Sequence, residues 1–438
     1  MKKILIPIAL VIVGAICLYN IPEQNIPKGK TSINDLSQED KKELKEKLSK
    51  DSVPEGIVPI EDFSDEDSVR TMDSFYKALA EAKDLDHPIR IAYFGDSFIG
   101  GDIVSADLRE LLQKEYGGQG AGAVDLVQLY SRATVVQKSS GLVNHIPTKR
   151  EDFKLNLQSM NNIYATSDAT ASATQIGTKT DHGTFTEKWS NSFLYFRPIN
   201  GATVKCKIDG MEAKEVYSGK SDKLQVAKVE GETHSVEWSF TGKGNVIYFA
   251  ANEGKNGIVL DNFGIVSVQG THLKTIPQST LEEFAAVRSY DLIIMQYGLN
   301  VASSDNQNNY KQYAKGMKEV IANFHKAWPK ASLLLVSVSD RCKKNKNGQP
   351  ATMKGIKELV LVQRDIAKDS KIAYWDMFSA MGGDGAIGRL AAEGNAEKDY
   401  IHLNPKGGKI VAKSFYDAIS NAIFNYNRRM KILDEYDK

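Results

Sequence analysis

A serine placed directly after a predicted strand is the first residue in this sequence that could do chemistry. The apolar run at residues 91–94 predicts a short buried strand, and Gly95-Asp96-Ser97 ends it before an amphipathic helix begins. The first N–H groups of a helix are unpaired and electropositive, so a hydroxyl at that turn is well placed to act as a nucleophile. The alternative is that Asp96 or Ser97 only caps the helix.

A carboxylate and an imidazole far downstream favour the catalytic interpretation. Asp399 and His402 are three positions apart, which brings the two side chains close together on a turn or on the first turn of a helix. An aspartate there holds the histidine in one tautomer and stabilises its protonated form, as in a serine hydrolase. The spacing is not specific by itself. It becomes informative together with Ser97 after one predicted strand and Asn300 after another.

These motifs resemble the SGNH (GDSL-type) hydrolase family, which is named for Ser, Gly, Asn and His in four sequence blocks. The first, third and last blocks are Gly95-Asp96-Ser97, Gly298-Leu299-Asn300 and Asp399-x-x-His402. The second block is a single glycine after a strand. Gly270 is the preferred candidate, and the alternatives are Gly118, Gly120 and Gly122.

The resemblance implies a role for each site residue. Ser97 is expected to attack an ester carbonyl, while His402 takes the hydroxyl proton and passes it to the leaving alcohol. Asp399 is expected to orient and stabilise His402. The oxyanion hole would consist of the N–H groups of Ser97 and Gly270 and the side-chain amide of Asn300. This chemistry requires no metal and no cofactor.

Two C-terminal segments, residues 375–383 and 398–408, resemble exported bacterial peptidoglycan O-acetylesterases that carry an inserted carbohydrate-binding-type β module. The function that this implies is removal of O-acetyl groups from a cell-envelope polysaccharide, with peptidoglycan as the leading candidate. Two alternatives stay open. An acyl-serine can be intercepted by a sugar, which would make the protein an O-acetyltransferase, or the protein could be a catalytically idle glycan-binding protein of the envelope.

The composition is that of an ordinary globular protein and excludes some other classes. The 438 residues are 42% hydrophobic and 25% charged, with a formal net charge of +1. The sequence has no basic stripe of the kind that would indicate nucleic-acid binding. The three cysteines (Cys17, Cys206 and Cys342) are too far apart to form a metal motif, and no disulfide can be argued from them.

Alternating strand and helix patterns predict an α/β fold. From residue 258 the predicted strands are 265–268, 292–296, 332–338 and 372–375, with helical periodicity between them. The fold class expected is therefore an SGNH-hydrolase-like (flavodoxin-like) parallel sheet with helices on both faces. Functional residues of such sheets lie beyond the carboxyl ends of the strands, where Ser97, Gly270 and Asn300 are all predicted.

Residues 126–257 interrupt this pattern. Period-two runs separated by turn residues recur along the segment, which predicts an inserted β-sandwich, with a jelly roll as the preferred topology. Four aromatic residues of the insert could stack on sugars, although aromatic residues on strands more often belong to a core. They are Trp189, Tyr195, Tyr217 and Trp238.

The N-terminus predicts export. Two lysines precede an apolar run at residues 4–19, which is typical of a signal peptide or of an uncleaved membrane anchor. Cys17 raises the question of a lipid anchor, but Ile16 stands where a small residue is usual. An exported, periplasmic or otherwise extracytoplasmic location follows. The domains expected are 1–21 (signal or anchor), 22–69 (polar spacer), 70–125 (hydrolase, first part), 126–257 (β insert) and 258–438 (hydrolase, second part).

Overall fold

The computed structural model describes residues 37–64, 69–149, 152–302 and 307–436. The predicted signal or anchor at 1–21 lies outside these ranges. Within them, no helix combines the length and the apolar character needed to cross a membrane. The described chain divides into two compact units, one formed by residues 37–51 and 425–436 and the other by the long stretch between them.

The strands and helices are numbered separately in chain order. The strands are β1 (Ile60–Asp62), β2 (Pro88–Gly95), β3 (Gly122–Asp125), β4 (Val135–His145), β5 (Tyr164–Gly177), β6 (Trp189–Arg197), β7 (Ala202–Ile208), β8 (Lys214–Gly219), β9 (Gln225–Thr233), β10 (Ser235–Thr241), β11 (Val246–Glu253), β12 (Gly257–Gly264), β13 (Leu292–Gln296), β14 (Ser332–Val336), β15 (Cys342–Lys344), β16 (Pro350–Thr352) and β17 (Ala373–Trp375). The α-helices are α1 (Gln38–Ser49), α2 (Asp73–Ala80), α3 (Ser97–Gly100), α4 (Ser105–Tyr116), α5 (Gln278–Val287), α6 (Gln307–Ala327), α7 (Lys354–Asp369), α8 (Met377–Ala380), α9 (Ala386–Ala392) and α10 (Pro405–Tyr436).

The smaller unit contains α1, which begins directly after Ser37. The Ser37 side chain accepts a hydrogen bond from the Asp40 N–H at 3.2 Å and caps the helix. Leu44 and Leu48 lie four residues apart on one face of α1, and both are buried against Tyr436.

In the larger unit, a six-stranded sheet has the order β1-β17-β14-β13-β2-β12. All its strand pairs are parallel except β1–β17, where Ile60–Asp62 adds an antiparallel edge inside the segment predicted to be a polar spacer. Strand β2 lies between β13 and β12 and is almost entirely buried, which explains its largely apolar sequence. The predicted α/β fold with a largely parallel sheet is confirmed.

The strand predicted at 265–268 is wrong. The sheet uses β12 (Gly257–Gly264) instead, and the chain turns immediately afterwards, with Ser267 at a φ of 68°. The polar residues Asp261 and Asn262 break the apolar run of β12 in the sequence, yet both are buried in the folded chain. The hydropathy pattern therefore predicts this strand several residues too close to the C-terminus.

The insert is a nine-stranded antiparallel sheet, and the predicted jelly-roll topology is not confirmed. Its strands follow the order β8-β7-β10-β5-β11-β6-β9, while β3 adds to β11 and β4 adds to β5, so that all nine are hydrogen-bonded into one sheet. The sheet curves around one core, which contains Trp189 and Trp238, and its ends, β8 and β9, approach each other. Because β3 belongs to this sheet, the sheet begins at Gly122.

The insert also contacts α4, the second helix after β2. His182, in the loop between β5 and β6, lies 2.7 Å (Nδ1 to Oδ2) from Asp107 of α4. Thr184 donates its N–H and its hydroxyl to Glu110, one turn further along that helix, at 2.7 and 2.6 Å. The insert is thus fixed to the six-stranded sheet through α4 as well as through its two chain connections.

Candidate functional site

Ser97 is the first residue of α3, a short helix that begins directly after β2. Its neighbours Asp96 and Phe98 are buried, whereas Ser97 is only half-buried. The turn requires a glycine before it, because a Cβ on Gly95 would lie 2.3 Å from the Ile99 side chain. The local sequence therefore presents one hydroxyl at the carboxyl edge of the sheet.

Asp399 and His402 form the predicted dyad. The Nδ1 atom of His402 lies 2.7 Å from the Oδ2 atom of Asp399, whose other oxygen accepts the N–H groups of Ile401 and His402 at 2.9 and 3.0 Å. Burial raises the pKa of Asp399, but the hydrogen bonds from His402 and Ile401 outweigh it and keep that pKa below its usual value. An ionised Asp399 holds the proton on Nδ1 and leaves Nε2 free to accept one.

The imidazole is accessible and lies near the nucleophile turn. The side chains of His402 and Asp399 are 43% and 44% exposed, so a substrate can reach them. The charge of His402 acts on the buried Asp96 carboxylate, next to Ser97. In the described part of the chain, no hydrogen bond joins the Ser97 hydroxyl to the His402 ring. The predicted proton transfer therefore needs a closer approach of these two groups, and the triad stays a prediction.

Asn300 and Gly270 lie on two loops that are bonded to each other. The Asn300 amide donates to the Val268 carbonyl at 2.9 Å, and the Gln269 side chain donates to the Asn300 carbonyl at 3.0 Å. These loops follow β13 and β12, the two strands that flank β2. The three strand ends that carry Ser97, Gly270 and Asn300 are therefore neighbours.

The glycine of the oxyanion hole stays a prediction, but its alternatives lie elsewhere. Gly270 has a φ of 86°, and a Cβ there would lie 2.6 Å from the Tyr297 ring, so only glycine fits. Gly118, Gly120 and Gly122 pack instead against Ile258, Asn252 and the Leu260–Asp261 region of β11 and β12. Ile258 is in register with Ile89, at the opposite end of β2 from Ser97.

Asn262 is a site-supporting residue that the motifs do not reveal. Its amide is 2% exposed and donates to the carbonyl of Ile99 at 2.6 Å, while its Oδ1 accepts the Gly264 N–H at 3.0 Å. The amide also donates to Asp102 and Ser105, both at 2.8 Å. One side chain thus connects the nucleophile helix α3 to β12. No sequence signal marks it, because Asn262 follows Asp261 as the second of two polar residues that interrupt the apolar run of β12.

Asp96 joins the nucleophile turn to the Asn300 loop. Its carboxylate accepts the Phe98 N–H at 3.2 Å and also interacts with the N–H of Leu299. Burial raises the pKa of Asp96 to about 6, although these two N–H groups and the His402 charge favour the ionised form. Through these two N–H groups, Asp96 fixes the turn that carries Ser97.

The aromatic residues that could stack on sugars are mostly unavailable for that role. Trp189, Tyr195 and Trp238 are at most 1% exposed. Tyr217 is half-buried and packs edge-on against Phe196. The insert therefore uses these rings for packing.

Comparison with known proteins agrees with this architecture. No protein-family model and no curated protein matches the chain. Among solved structures, a peptidoglycan O-acetylesterase matches over 83% of this chain and 99% of its own length, at 20% identity and a TM-score of 0.67. The segment 126–257 is too long to fall outside a match of that coverage.

Two further solved structures match at much lower TM-scores. One is a family two carbohydrate esterase from Clostridium thermocellum in complex with cellohexaose, which matches over 65% of this chain and 100% of its own at 9% identity and a TM-score of 0.30. The other is a carbohydrate acetylesterase family member from Sinorhizobium meliloti, which matches over 38% of this chain and 80% of its own at 16% identity and 0.27. TM-scores this low do not establish a shared fold.

The chain has an α/β fold like that of SGNH esterases, with Ser97 and Asn300 in the segments that follow two neighbouring strands. Within that class, the likeness at a TM-score of 0.67 is to a peptidoglycan O-acetylesterase, and at 20% identity it is a likeness of fold. The resemblance drawn from the motifs is confirmed at that level.

Replacing Asn300 tests the oxyanion hole. Asn300→Ala is expected to lower kcat roughly 10²–10³-fold on an aryl acetate, because one donor to the tetrahedral oxyanion is lost. Gln269→Ala is the matched control, since it removes the hydrogen bond to the same loop but keeps the Asn300 amide. Equal kcat values for the two variants would show that Asn300 is not a donor in the oxyanion hole.

Replacing Asn262 tests its positioning role. Asn262→Ala leaves the Gly264 N–H and the Ile99 carbonyl without this partner, so we expect kcat to fall roughly 10-fold or more and stability to fall by about 1–3 kcal/mol. Asn252→Ala removes an equally buried amide in the insert, which bonds to Gln175, and should cost stability without changing kcat. Urea unfolding and aryl acetate kinetics measure both effects. Loss of stability alone in Asn262→Ala would reduce this residue to a packing role.

The raised pKa of Asp96 predicts a dependence of stability on pH. The unfolded chain loses this proton near pH 4 and the folded chain near pH 6, so the free energy of unfolding should fall as pH rises between these values. Asp96→Asn removes this titration and should gain stability relative to the wild type by about 2–3 kcal/mol between pH 4 and pH 7. Urea unfolding at both pH values measures the gain. The exposed Asp84→Asn serves as control, and a wild-type-like pH dependence in Asp96→Asn would contradict the assignment.

Proposed function

We propose that this protein is a serine esterase that removes O-acetyl groups from a cell-envelope polysaccharide, with O-acetylated peptidoglycan as the leading substrate. The observation that carries the proposal is the Asp399–His402 dyad, held at 2.7 Å and half-exposed, in electrostatic contact with the turn that presents Ser97. The fold likeness to a peptidoglycan O-acetylesterase supports the choice of substrate class.

The reaction would proceed through an acyl-serine. The Ser97 oxygen attacks the acetyl carbonyl carbon while Nε2 of His402 takes the hydroxyl proton. The imidazolium that forms is stabilised by the ionised Asp399 and then protonates the sugar oxygen, which leaves as an alcohol. Water, activated by the same histidine, releases acetate and restores Ser97.

The two tetrahedral intermediates require donors for one oxyanion. The N–H of Ser97 lies at the start of α3, where helix N–H groups are unpaired. The N–H of Gly270 and the remaining N–H of the Asn300 side chain complete the proposed set, and the hydrogen bonds between their two loops would fix the spacing of these donors in advance.

The location follows from the N-terminal sequence and from the substrate. An apolar segment at residues 4–19 behind two lysines is typical of exported proteins, and peptidoglycan lies outside the cytoplasm. We therefore propose an extracytoplasmic enzyme with the domain order given by the sequence.

Removal of the nucleophile or of the base tests the proposal. Ser97→Ala and His402→Ala should each lower acetate release by several orders of magnitude on acetylated peptidoglycan and on an aryl acetate, since both act on the reacting atoms. Unfolding midpoints should stay near that of the wild type, because both side chains are partly exposed. Acetate release from acetylated xylan is measured in parallel, and the comparison ranks the two glycans as substrates.

His87→Ala is the matched control for the histidine. It shares the Asp-x-x-His spacing with Asp84 but precedes β2, at the amino end of the sheet. Full activity in Ser97→Ala, or equal losses in His402→Ala and His87→Ala, would overturn the triad. Activity on the aryl acetate without acetate release from any glycan would overturn the polysaccharide substrate.

A further inference from the structure

A basic hairpin projects from the carboxyl edge of the sheet. Strands β15 (Cys342–Lys344) and β16 (Pro350–Thr352) form a separate two-stranded sheet after β14. The residues from 343 to 349 are all exposed. We call residues 342–352 the basic hairpin, because Lys343, Lys344 and Lys346 are its charged residues and none of its residues is acidic.

The hairpin begins between the two loops that carry His402 and Asn300. The Cys342 N–H donates to the carbonyl of Tyr400 at 3.0 Å, two residues before His402. Arg341, immediately before the hairpin, donates from Nη1 to the carbonyl of Leu299 at 2.7 Å, one residue before Asn300. The hairpin therefore starts beside the two loops that carry His402 and Asn300 of the proposed site.

The turn of the hairpin is fixed by its own hydrogen bonds. The Asn345 N–H donates to the Gln349 carbonyl at 2.8 Å, and the Gly348 N–H donates to the Asn345 carbonyl at 2.9 Å. The Asn345 side chain accepts the N–H groups of Asn347 and Gln349 at 2.9 and 3.0 Å. The backbone that carries the lysines is thus ordered before any ligand binds, which lowers the entropic cost of binding.

The three lysines have no ion-pair partner among the described residues. Two carboxylates near the base of the hairpin have other partners: Asp340 is buried and accepts hydrogen bonds from Thr352 and Ile387, and Asp384 pairs with Lys357. Three like charges on one short hairpin repel each other, and a negatively charged ligand would relieve that repulsion.

We propose that the basic hairpin binds carboxylate groups of the polymer whose acetyl esters reach Ser97, so that the preferred substrate is an anionic glycan such as peptidoglycan with its peptide carboxylates. The inference rests on the proposed function and narrows it. Exposed lysines act on a charged polymer mainly through long-range attraction, which is screened by salt. A neutral acetylated glycan gains nothing from this attraction.

The test compares acetylated peptidoglycan with the same material after its carboxyl groups are converted to neutral amides under mildly acidic conditions. The variant is Lys343→Gln/Lys344→Gln/Lys346→Gln. Its kcat/KM on the untreated polymer should fall roughly 3–30-fold at low salt, the combined effect of three exposed charges. On the amidated polymer and on an aryl acetate it should match the wild type, and the wild-type advantage should disappear at 0.5 M salt as screening becomes strong, with a Debye length of about 4 Å.

A matched control carries the same change of charge at the amino ends of the strands, opposite the hairpin. Lys83, Lys255 and Lys330 are exposed and precede β2, β12 and β14, so their triple glutamine variant should behave as the wild type. Equal losses in both variants, or equal losses on the untreated and amidated polymers, would overturn the inference while leaving the esterase intact. Reduced binding of the hairpin variant to phosphatidylglycerol vesicles, with unchanged polymer turnover, would also overturn it. Wild-type activity on the aryl acetate with neither polymer deacetylated would instead refute the proposed function.

Discussion

The whole site depends on the close approach of backbone to backbone around α3. Gly264 of β12 is in register with Gly95 of β2, and a Cβ on Gly264 would lie 2.2 Å from the backbone nitrogen of Gly100. A Cβ on Gly95 would meet Ile99 at 2.3 Å. No side chain can separate the nucleophile helix from these strand ends. The position of Ser97 is therefore set by van der Waals contact with the sheet, and the polar network of Asn262 and Asp96 needs only to fix the helix in that contact.

A second constraint is the burial of charge where the insert joins the sheet. Arg288, after α5, donates to Asp261 of β12 at 2.6 and 2.8 Å and to Glu253 of β11 at 3.1 Å, and all three side chains are at most 1% exposed. Burial lowers the pKa of Arg288, but the surrounding carboxylates raise it well above the usual value, so the group stays charged. Removing one of these three side chains would leave a buried charge without its opposite charge. These buried ion pairs thus fix the position of β11 of the insert relative to β12 of the six-stranded sheet.

The parts of the site that the sequence predicts are those whose chemistry depends on short spacing. Ser97 follows its own strand, and Asp399 is three residues from His402, so local pattern is sufficient to identify them. The remainder depends on residues far apart in the chain. Asp261 and Asn262 make β12 look too polar to be a buried strand, and only their buried partners explain why they are tolerated there. The single curved sheet of the insert likewise follows from strand pairings that period-two runs cannot specify.

The pairing of β3 with β11 has a consequence for how the protein folds. Strands β2 and β12 are adjacent in the hydrolase sheet, although the entire insert lies between them in the chain. Bringing distant segments together costs conformational entropy and slows folding. Antiparallel pairing of Gly122 with Asn252 joins the two ends of the insert. Once the insert has formed, the connection that remains between β2 and β12 consists mainly of α3, α4 and their turns. Pairing of the two insert ends therefore lowers the entropic cost of bringing β2 and β12 together.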